Sequence, residues 1–465
     1  MHINNSSAAS PLKANNTISM EVSPDEKDPQ SALKKALKLA LTEEKAEIPK
    51  LQTTRYRTLT KRGVMWLGQT CNLRCHFCYF LDRIEIRTHP EHPFMSLEKA
   101  KKICHTLVHF YGNNAIDIQG GEPTIWKDIL PLVSYCNEIG LYPTLITNAL
   151  VLAKKEKCQA FKDAGLRDFL VSVHGIGDVH DRVVQMPGAH EKQMHALRNM
   201  QEVGIPFRFN CVLSKPVINQ LPQIAELAVK TGASVVNFLA FNPFEDQAKD
   251  GKRSAYNVPK YSDIMPKLNE ALDILHENKV EANVRYYPLC MTERRHLKSM
   301  YNFQQLPYDH HEWDYASWNW TGIQEQRMKG GETTPPYSLT QERKAPKNEN
   351  LAQKVVSIPV FGFVAQKLYR LMVLFSKSVK SKDSMYRDNA RVRAEDHCGY
   401  QYSKRCNDCS VKNICDGFHG DYADLFGTEE ANPIVLDHAT DDPKRFISEQ
   451  DKWVEQEDLS WALKN

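Results

Sequence analysis

The chain has 465 residues, of which 60 are lysine or arginine and 57 are aspartate or glutamate. This length exceeds one ordinary hydrophobic core, so we expect one large domain with smaller additions. The formal net charge of +3 gives no electrostatic reason to expect a nucleic acid or an acidic polymer as a partner.

Residues 1–55 predict a disordered leader that ends in one short helix. The first 29 residues are polar and have neither the basic nor the apolar region of a secretory signal, so we expect a cytoplasmic protein. A lysine- and alanine-rich helix near Ala32–Glu43 has little apolar surface to bury, and we assign it no chemistry. In a reducing compartment the twelve cysteines, where they cluster, are better read as metal ligands than as disulfides.

Residues 56–290 alternate short apolar runs with helical patterns. Seven strands are predicted, at Val64–Leu67, Ala115–Ile118, Thr144–Ile146, Phe169–Val173, Phe207–Leu213, Val235–Phe241 and Val280–Tyr287. Helices are predicted after Ser96 and at Ile125–Ile139, Gln193–Val203, Leu221–Lys230 and Ile264–His276. The repeated order of strand and helix indicates an α/β fold, a partial (β/α)6 TIM-like barrel whose sites lie on the loops after the strands.

Three cysteines lie within eight residues directly after the first predicted strand: Cys71, Cys75 and Cys78. Three thiolates can hold three irons of a four-iron cluster and leave the fourth iron open to another molecule. Zinc normally takes four protein ligands and fits this group poorly. A chance grouping of thiols without a metal is uncommon in a reducing compartment.

Residues 119–124, Gln-Gly-Gly-Glu-Pro-Thr, follow the second strand. Gly120 and Gly121 allow the backbone to approach a ligand closely, and a buried Glu122 would suit an ammonium group. Taken alone, the same residues also fit a strand-to-helix turn with Pro123 at the first helical position.

Polar side chains also stand at the ends of the next strands. Asn148, Ser172 and Asn210 occupy positions where barrels bind ligands, although ordinary polar strand ends fit these residues equally well. His174 follows Ser172 by two residues. We assign these positions no catalytic role from the pattern alone.

The motif Cys71-x3-Cys75-x2-Cys78 after the first strand of a β/α barrel, with Phe77 before the last cysteine, resembles the signature of the radical S-adenosylmethionine (SAM) superfamily. The resemblance implies a barrel of the radical SAM type, a catalytic [4Fe-4S] cluster on the three cysteines, and SAM bound at the open iron. It also implies that SAM is cleaved to a 5′-deoxyadenosyl radical that takes hydrogen from a substrate, with no catalytic side chain beyond the cluster.

Other residues acquire expected roles from this resemblance. Residues 120–122 resemble the motif for the amino group of SAM, and Ser172 resembles a contact to its ribose or carboxylate. Many relatives are expected to have an acidic residue at the position of His174. The resemblance therefore implies no role in substrate binding for His174. The cofactor-binding set that we expect comprises Phe77, Gly120, Gly121, Glu122, Asn148, Ser172 and Asn210.

Residues 291–393 break the barrel pattern and predict an insertion with few regular elements. Within it, Val355–Ser376 is an apolar helix that Gly362, Lys367 and Arg370 interrupt, so it is a poor membrane-spanning segment. We favour packing of this helix on the barrel over contact with a membrane.

A second group of cysteines lies in the small segment 394–427, before an acidic tail at 428–465 that we expect on the surface. It consists of Cys398, Cys406, Cys409 and Cys415. We expect so polar a segment to fold only if a metal site stabilises it. Its four thiols could bind either a zinc ion or a second iron-sulfur cluster. Cys290, at the end of the barrel, could replace Cys398 as a ligand, and a core position suits it equally.

The spacing Cys406-x2-Cys409-x5-Cys415 resembles the SPASM or twitch domains that follow many radical SAM barrels and hold auxiliary [4Fe-4S] clusters. His419 stands where the fuller SPASM pattern has a further cysteine, which implies one auxiliary cluster rather than two. The resemblance thus implies a small Cys-rich C-terminal domain.

The resemblance implies an enzyme whose substrate stays open, with a peptide favoured and a sugar or lipid as the alternative. A reductant such as flavodoxin or ferredoxin is an implied partner. A non-catalytic zinc or iron-sulfur binding protein would need only the second cysteine group, and a plain electron carrier would need neither a barrel nor an open iron.

Overall fold

In the computed structural model of the chain, residues 28–43, 52–241, 257–314 and 381–463 are described, together with positions 326–327, 333–334, 364 and 368. The predicted apolar helix at 355–376 lies outside the described residues, apart from the exposed Val364 and Leu368. No helix in the described ranges is both long enough and apolar enough to cross a membrane.

A sheet of eight parallel strands forms the centre of the fold, and its strands neighbour one another in chain order. The strands are β2 Arg62–Trp66, β3 Ala115–Gln119, β4 Tyr142–Thr147, β5 Asp168–Ser172, β6 Phe207–Leu213, β7 Val235–Ala240, β8 Glu281–Arg285 and β9 Met300–Tyr301. The first and last of these strands are not paired, so the sheet is a curled, open barrel.

Helices connect the strands as parallel crossovers require. The helices up to β8 are α1 Pro29–Ala40, α2 Leu81–Glu85, α3 Leu97–Thr106, α4 Ile129–Glu138, α5 Lys155–Asp163, α6 Asp178–Val184, α7 Ala189–Val203, α8 Leu221–Thr231 and α9 Tyr261–Glu277. The six β/α units that begin at β2 to β7 confirm the predicted α/β class. The eighth strand has only two residues, too few for a sequence pattern to reveal.

Several helix boundaries differ from the predicted ones for local reasons. Helix α4 begins at Ile129 because Pro123–Ile125 forms a separate 3-10 turn. Helix α5 was missed because it buries only Cys158 and Phe161, which is too few for a periodic signal. Strand β8 stops at Arg285 because Tyr286 adopts a φ of 62°.

Helix α1 packs against α7 and α8. Its buried side chains are Leu33, Ala36, Leu37 and Ala40, at the spacing of one helical face. The expectation that this helix has little apolar surface to bury is therefore wrong.

The remaining described elements include two short antiparallel strand pairs and three helices. They are β1 Gln52–Thr54, β10 Gln326–Arg327, β11 Thr333–Thr334, β12 Lys452–Val454, α10 Lys382–Val392, α11 Gly420–Phe426 and α12 Leu459–Ala462. Strand β12 pairs antiparallel with β1, and β10 pairs with β11.

The end of the chain returns to the barrel. Lys452, Glu455 and Asp458 are buried, and the Lys452 ammonium binds the buried carboxylates of Glu281 and Asp309. The prediction of a surface tail is therefore wrong for these residues. Their charges suggested exposure, whereas they are paired with opposite charges at the amino end of the barrel.

Candidate active site

The loop that carries the first three cysteines follows β2 and is hydrogen-bonded to the end of helix α6. Cys71, Cys75 and Cys78 are half-buried. The backbone N–H of Arg74 donates to the carbonyl of Val184 at 3.2 Å, and its guanidinium donates to the Cys71 carbonyl at 3.0 Å. The loop thus has a defined conformation that brings its three thiols to one region.

The electrostatics of this loop favour a positively charged group among the thiols. Burial, together with a smaller contribution from the nearby Glu122 carboxylate, raises the pKa of Cys71 to about 12. Burial, Cys78 and Cys71 likewise raise the pKa of Cys75. Three thiolates beside a carboxylate are unfavourable by themselves, so the donor set fits a cation such as the iron of a cluster.

The spread of the sulfur atoms argues against a single ion. Among the described residues, only Glu281, Asp309 and His311 bring three ligand atoms within 4.8 Å of one another. In a tetrahedral site, a zinc–sulfur bond of about 2.3 Å would hold the sulfurs about 3.8 Å apart. No three cysteine sulfurs among the described residues are as close together as such a site requires.

Residues 120–122 pack against the backbone just before Cys71. The Gly121 N–H donates to the Gly68 carbonyl at 2.8 Å, and the Glu122 N–H donates to the Thr70 carbonyl at 2.9 Å. A Cβ atom on Gly120 or Gly121 would collide with these carbonyl oxygens. The glycines therefore permit close approach of two backbone segments. Their own carbonyl groups accept no hydrogen bond from any residue within the described ranges.

The Glu122 side chain is buried and holds the ends of two strands. One oxygen accepts hydrogen bonds from the hydroxyls of Thr124 (2.6 Å) and Thr147 (2.7 Å), and the other accepts from the N–H of Asn148 (2.7 Å). Burial raises the pKa of Glu122, and these hydrogen bonds oppose the rise. The Asn148 amide in turn donates to Asn72 in the cysteine loop at 2.8 Å.

Ser172 and Asn210 are directly opposed in register across β5 and β6, and both are partly exposed. Gln193 of α7 donates to the carbonyl of Ser172 at 2.9 Å and to that of Asn148 at 3.2 Å. The structure therefore brings these strand-end residues to the same side of the barrel as the cysteine loop.

Phe77 contacts a residue to which the sequence pattern assigned no role. Its ring centroid lies 4.5 Å from that of His174 and 6.4 Å from that of Phe241. The His174 Nδ1 atom accepts a hydrogen bond from the Val212 N–H at 3.2 Å. Burial lowers the pKa of His174 to about 3, so its imidazole is neutral. The only sequence signal for this residue was its place two positions after Ser172.

Cys290, the alternative ligand from the sequence analysis, lies beside three of the predicted cysteines of the second group. Cys290, Cys406, Cys409 and Cys415 line one cavity. Cys398 packs instead with the apolar cluster around Phe303. Burial raises the pKa of Cys290 to about 11, with smaller contributions from Cys406 and Cys409.

Hydrogen bonds connect this cavity to the end of the barrel. The Tyr402 hydroxyl donates to the Cys415 carbonyl at 2.6 Å, and the Asp416 carboxylate accepts from the Phe303 N–H at 2.7 Å. His419 caps helix α11, where its Nδ1 atom accepts from the Asp421 N–H at 3.3 Å.

The group of Glu281, Asp309 and His311 was not foreseen and has the composition of a metal site. The Lys452 ammonium binds both carboxylates, and His311 also contacts Glu455 at 3.1 Å. A cation of the protein itself already neutralises these carboxylates, so the group is an ion-pair network.

Comparison with known proteins agrees with the geometry of the first site. The radical SAM superfamily profile matches residues 67–228. A PqqA peptide cyclase of Rhodopseudomonas palustris is 33% identical over 168 residues, which are 36% of this chain and 43% of that protein. An Fe-coproporphyrin III synthase of Methanosarcina barkeri is 32% identical over 168 residues, 36% and 41% of the two chains.

Among solved structures, Streptococcus suis SuiB bound to S-adenosylmethionine matches with a TM-score of 0.40 and 20% identity, over 51% of this chain and 52% of SuiB. The matching segment spans less than half of the length of the two curated relatives above. Residues 67–228 therefore form a domain of the radical SAM type.

Proposed function

We propose that the protein is an enzyme that reductively cleaves SAM at a four-iron cluster held by Cys71, Cys75 and Cys78. When bound, the cluster and SAM supply an electron and a 5′-deoxyadenosyl radical, which takes hydrogen from a substrate. The observation that carries this proposal is the packing of the cysteine loop against residues 120–122 at the carboxyl ends of the barrel strands. That packing puts three thiols beside backbone carbonyls that can accept hydrogen bonds.

The residues around the loop have distinct roles in this proposal. The carbonyl groups of Gly120 and Gly121 accept hydrogen bonds from the amino group of SAM, because they have no partner among the described residues. Glu122 is a positioning residue in this proposal, since its carboxylate already accepts four hydrogen bonds. It holds Asn148, and Asn148 holds the cysteine loop through Asn72.

The remaining cofactor contacts lie further along the sheet. Ser172 and Asn210 offer a hydroxyl and an amide to the polar groups of SAM from adjacent strands. Phe77 offers an apolar ring directly before Cys78 and, with Phe241, excludes water from this side of the site.

For the second site we propose an auxiliary [4Fe-4S] cluster bound by Cys290, Cys406, Cys409 and Cys415, with Cys290 in place of Cys398. These four thiols line one cavity, and no three of them lie within 4.8 Å of one another in the described chain. Four cysteine ligands leave no open iron, so this cluster passes electrons and does not bind the substrate.

We propose a peptide as the substrate and a one-electron carrier such as flavodoxin or ferredoxin as the reductant. The similarity to PqqA peptide cyclases, at 33% identity over 36% of this chain for one of them, supports the peptide. The Fe-coproporphyrin III synthase has comparable similarity and represents the small-molecule alternative.

Metal analysis and electron paramagnetic resonance test the proposed cofactors. Protein purified and reconstituted without oxygen should contain iron and sulfide and, after reduction, show a cluster spectrum that changes when SAM is added. Cys75→Ala should abolish the response to SAM, whereas Cys398→Ala, a matched change of a half-buried cysteine, should retain it. Zinc without iron, or an iron spectrum that SAM leaves unchanged, would contradict the proposal.

A further inference from the structure

Two cysteines that belong to neither proposed cluster lie in contact on neighbouring helices. Cys104 of α3 and Cys136 of α4 are both 0% exposed, and their Sγ atoms are 3.6 Å apart. Both are free thiols, and one donates a hydrogen bond to the other. They are 32 residues apart in the chain, so no sequence motif connects them.

The two helices are held side by side next to these thiols. The ammonium of Lys101 lies 4.8 Å from the ring centroid of Tyr135, and both side chains are half-buried. Lys101 precedes Cys104 by about one helical turn, and Tyr135 is next to Cys136, so this contact fixes the helix spacing at the pair. A disulfide needs sulfur atoms about 2.05 Å apart, and small rotations of the two side chains can supply the remaining approach of about 1.5 Å.

Helix α3 becomes irregular directly after Cys104. The Leu107 N–H is shared between the carbonyls of Ile103 and Cys104, and Leu107–Tyr111 continue as a π-helical turn. A turn of this kind interrupts the regular hydrogen bonding of an α-helix. Local opening at this end of α3 therefore gives a small oxidant access to the buried thiols.

We infer that Cys104 and Cys136 are a site of redox modification, where a peroxide converts the two thiols into a reversible disulfide. One thiolate attacks hydrogen peroxide, which gives a sulfenic acid and one water. The second thiol then attacks the sulfenic sulfur and releases a second water. Two thiols are oxidised to one disulfide, both peroxide oxygens are reduced to water, and a small thiol reverses the reaction.

The chemistry of the pair suits a slow and transient cross-link. The hydrogen bond with Cys104 and burial raise the pKa of Cys136, so the pair consists of thiols at neutral pH and reacts slowly. In a reducing compartment, disulfides of this kind are typically transient and respond to oxidants.

The cross-link joins the helices that precede and follow β3, the strand that leads to residues 120–122. It therefore stabilises this part of the barrel under oxidising conditions. Neither cysteine is a proposed cluster ligand, so the inference stands or falls independently of the proposed function.

Peptide mapping tests the inference on the full-length reconstituted protein. The protein is treated with hydrogen peroxide and denatured, the remaining thiols are blocked with N-ethylmaleimide, and the digested peptides are identified by mass spectrometry. We expect a linked pair of peptides containing Cys104 and Cys136 that dithiothreitol separates. Cys158 and Cys211, which are also 0% exposed, are the matched controls and should be recovered as single blocked peptides.

Thermal unfolding provides a second measurement, with Cys136→Ala as the control for cluster loss caused by the peroxide. After treatment, dithiothreitol should lower the unfolding midpoint of the wild type by about 4–7 °C, because it opens a covalent loop. The same addition should leave the midpoint of Cys136→Ala unchanged.

Recovery of Cys104 and Cys136 as separate blocked or overoxidised peptides would overturn the inference. Linkage of either one to Cys158 or Cys211 in similar yield would also overturn it, since the thiols would then pair through unfolding and not through their contact in the fold. An equal effect of dithiothreitol on both proteins would assign the stabilisation to other disulfides and contradict the role of this pair.

Discussion

The carboxylate of Glu122 accepts a hydrogen bond of 2.7 Å from the backbone N–H of Asn148. This contact joins the end of β3 to the end of β4, and the Asn148 side chain extends it to Asn72 in the cysteine loop. One buried carboxylate thereby connects the two sequence motifs of the site.

Replacing Glu122 by glutamine tests this connection. The amide has one N–H2 group where the carboxylate had an acceptor, so at least one buried donor of Thr124, Thr147 or Asn148 loses its partner. We expect a loss of about 1–3 kcal/mol in stability, seen as a lower thermal unfolding midpoint, and weaker retention of iron. Glu156→Gln, at an exposed glutamate, is the control and should change neither quantity.

The second cluster can be tested by iron counting. Cys290→Ser should lower the iron content from about eight to about four per chain, because it removes one of four ligands from the cavity. Cys398→Ser should keep the full content, since this thiol packs away from the cavity. The reverse pattern, in which only Cys398→Ser loses iron, would restore the ligand set expected from the sequence.

The ion-pair network at the other end of the barrel predicts acid sensitivity. Burial alone would raise the pKa of Glu281, but Lys452 and His311 outweigh it and lower the pKa to about 2. Lys452 and Arg285 similarly outweigh burial and lower the pKa of Asp309. Because these folded-state values lie below the unfolded ones, their stabilisation is present above about pH 4.5 and is lost as the pH falls towards 2.

Thermal unfolding between pH 7 and 3 measures this loss, and Lys452→Met provides the comparison. Without the ammonium, Glu281 and Asp309 remain buried with less opposite charge, and we expect a loss of about 3–5 kcal/mol at pH 7. Protonation then relieves the repulsion, so the variant should lose less stability than the wild type on acidification. Parallel pH profiles for the two proteins would show that Lys452 does not set these pKa values.

Helix α1 packs on the barrel with one face, so a substitution on that face should lower the stability of the protein and leave SAM binding unchanged. Leu37 is buried against the barrel helices and lies far in sequence from the site. Leu37→Ala should cost about 2–4 kcal/mol through the cavity that it leaves. SAM binding by the folded variant should equal that of the wild type, and a changed affinity would indicate that the helix influences the site.

Features that depend on neighbouring residues in the sequence could be predicted. The spacing of Cys71, Cys75 and Cys78 and the seven longer strands are of this kind, because a loop motif and the period of a strand are local. The contact between Glu122 and Asn148 could not be predicted, since it depends on how β3 and β4 lie beside each other.

The choice between Cys290 and Cys398 shows the same limit. Cys398 is close to Cys406 in the sequence and Cys290 is more than a hundred residues before it, and only the packing of the chain decides which one faces the cavity. The end of the chain was misjudged because Lys452 and Glu455 have the composition of a surface. Their burial depends on partners that lie more than a hundred residues away.

The most direct test of the central claim is the formation of 5′-deoxyadenosine from SAM by the anaerobically reconstituted, dithionite-reduced protein. We predict product from the wild type and from Cys398→Ala, and none from Cys75→Ala. An iron-loaded wild-type protein that forms no 5′-deoxyadenosine, or a Cys75→Ala variant that forms as much as the wild type, would contradict the assignment of SAM cleavage to this site.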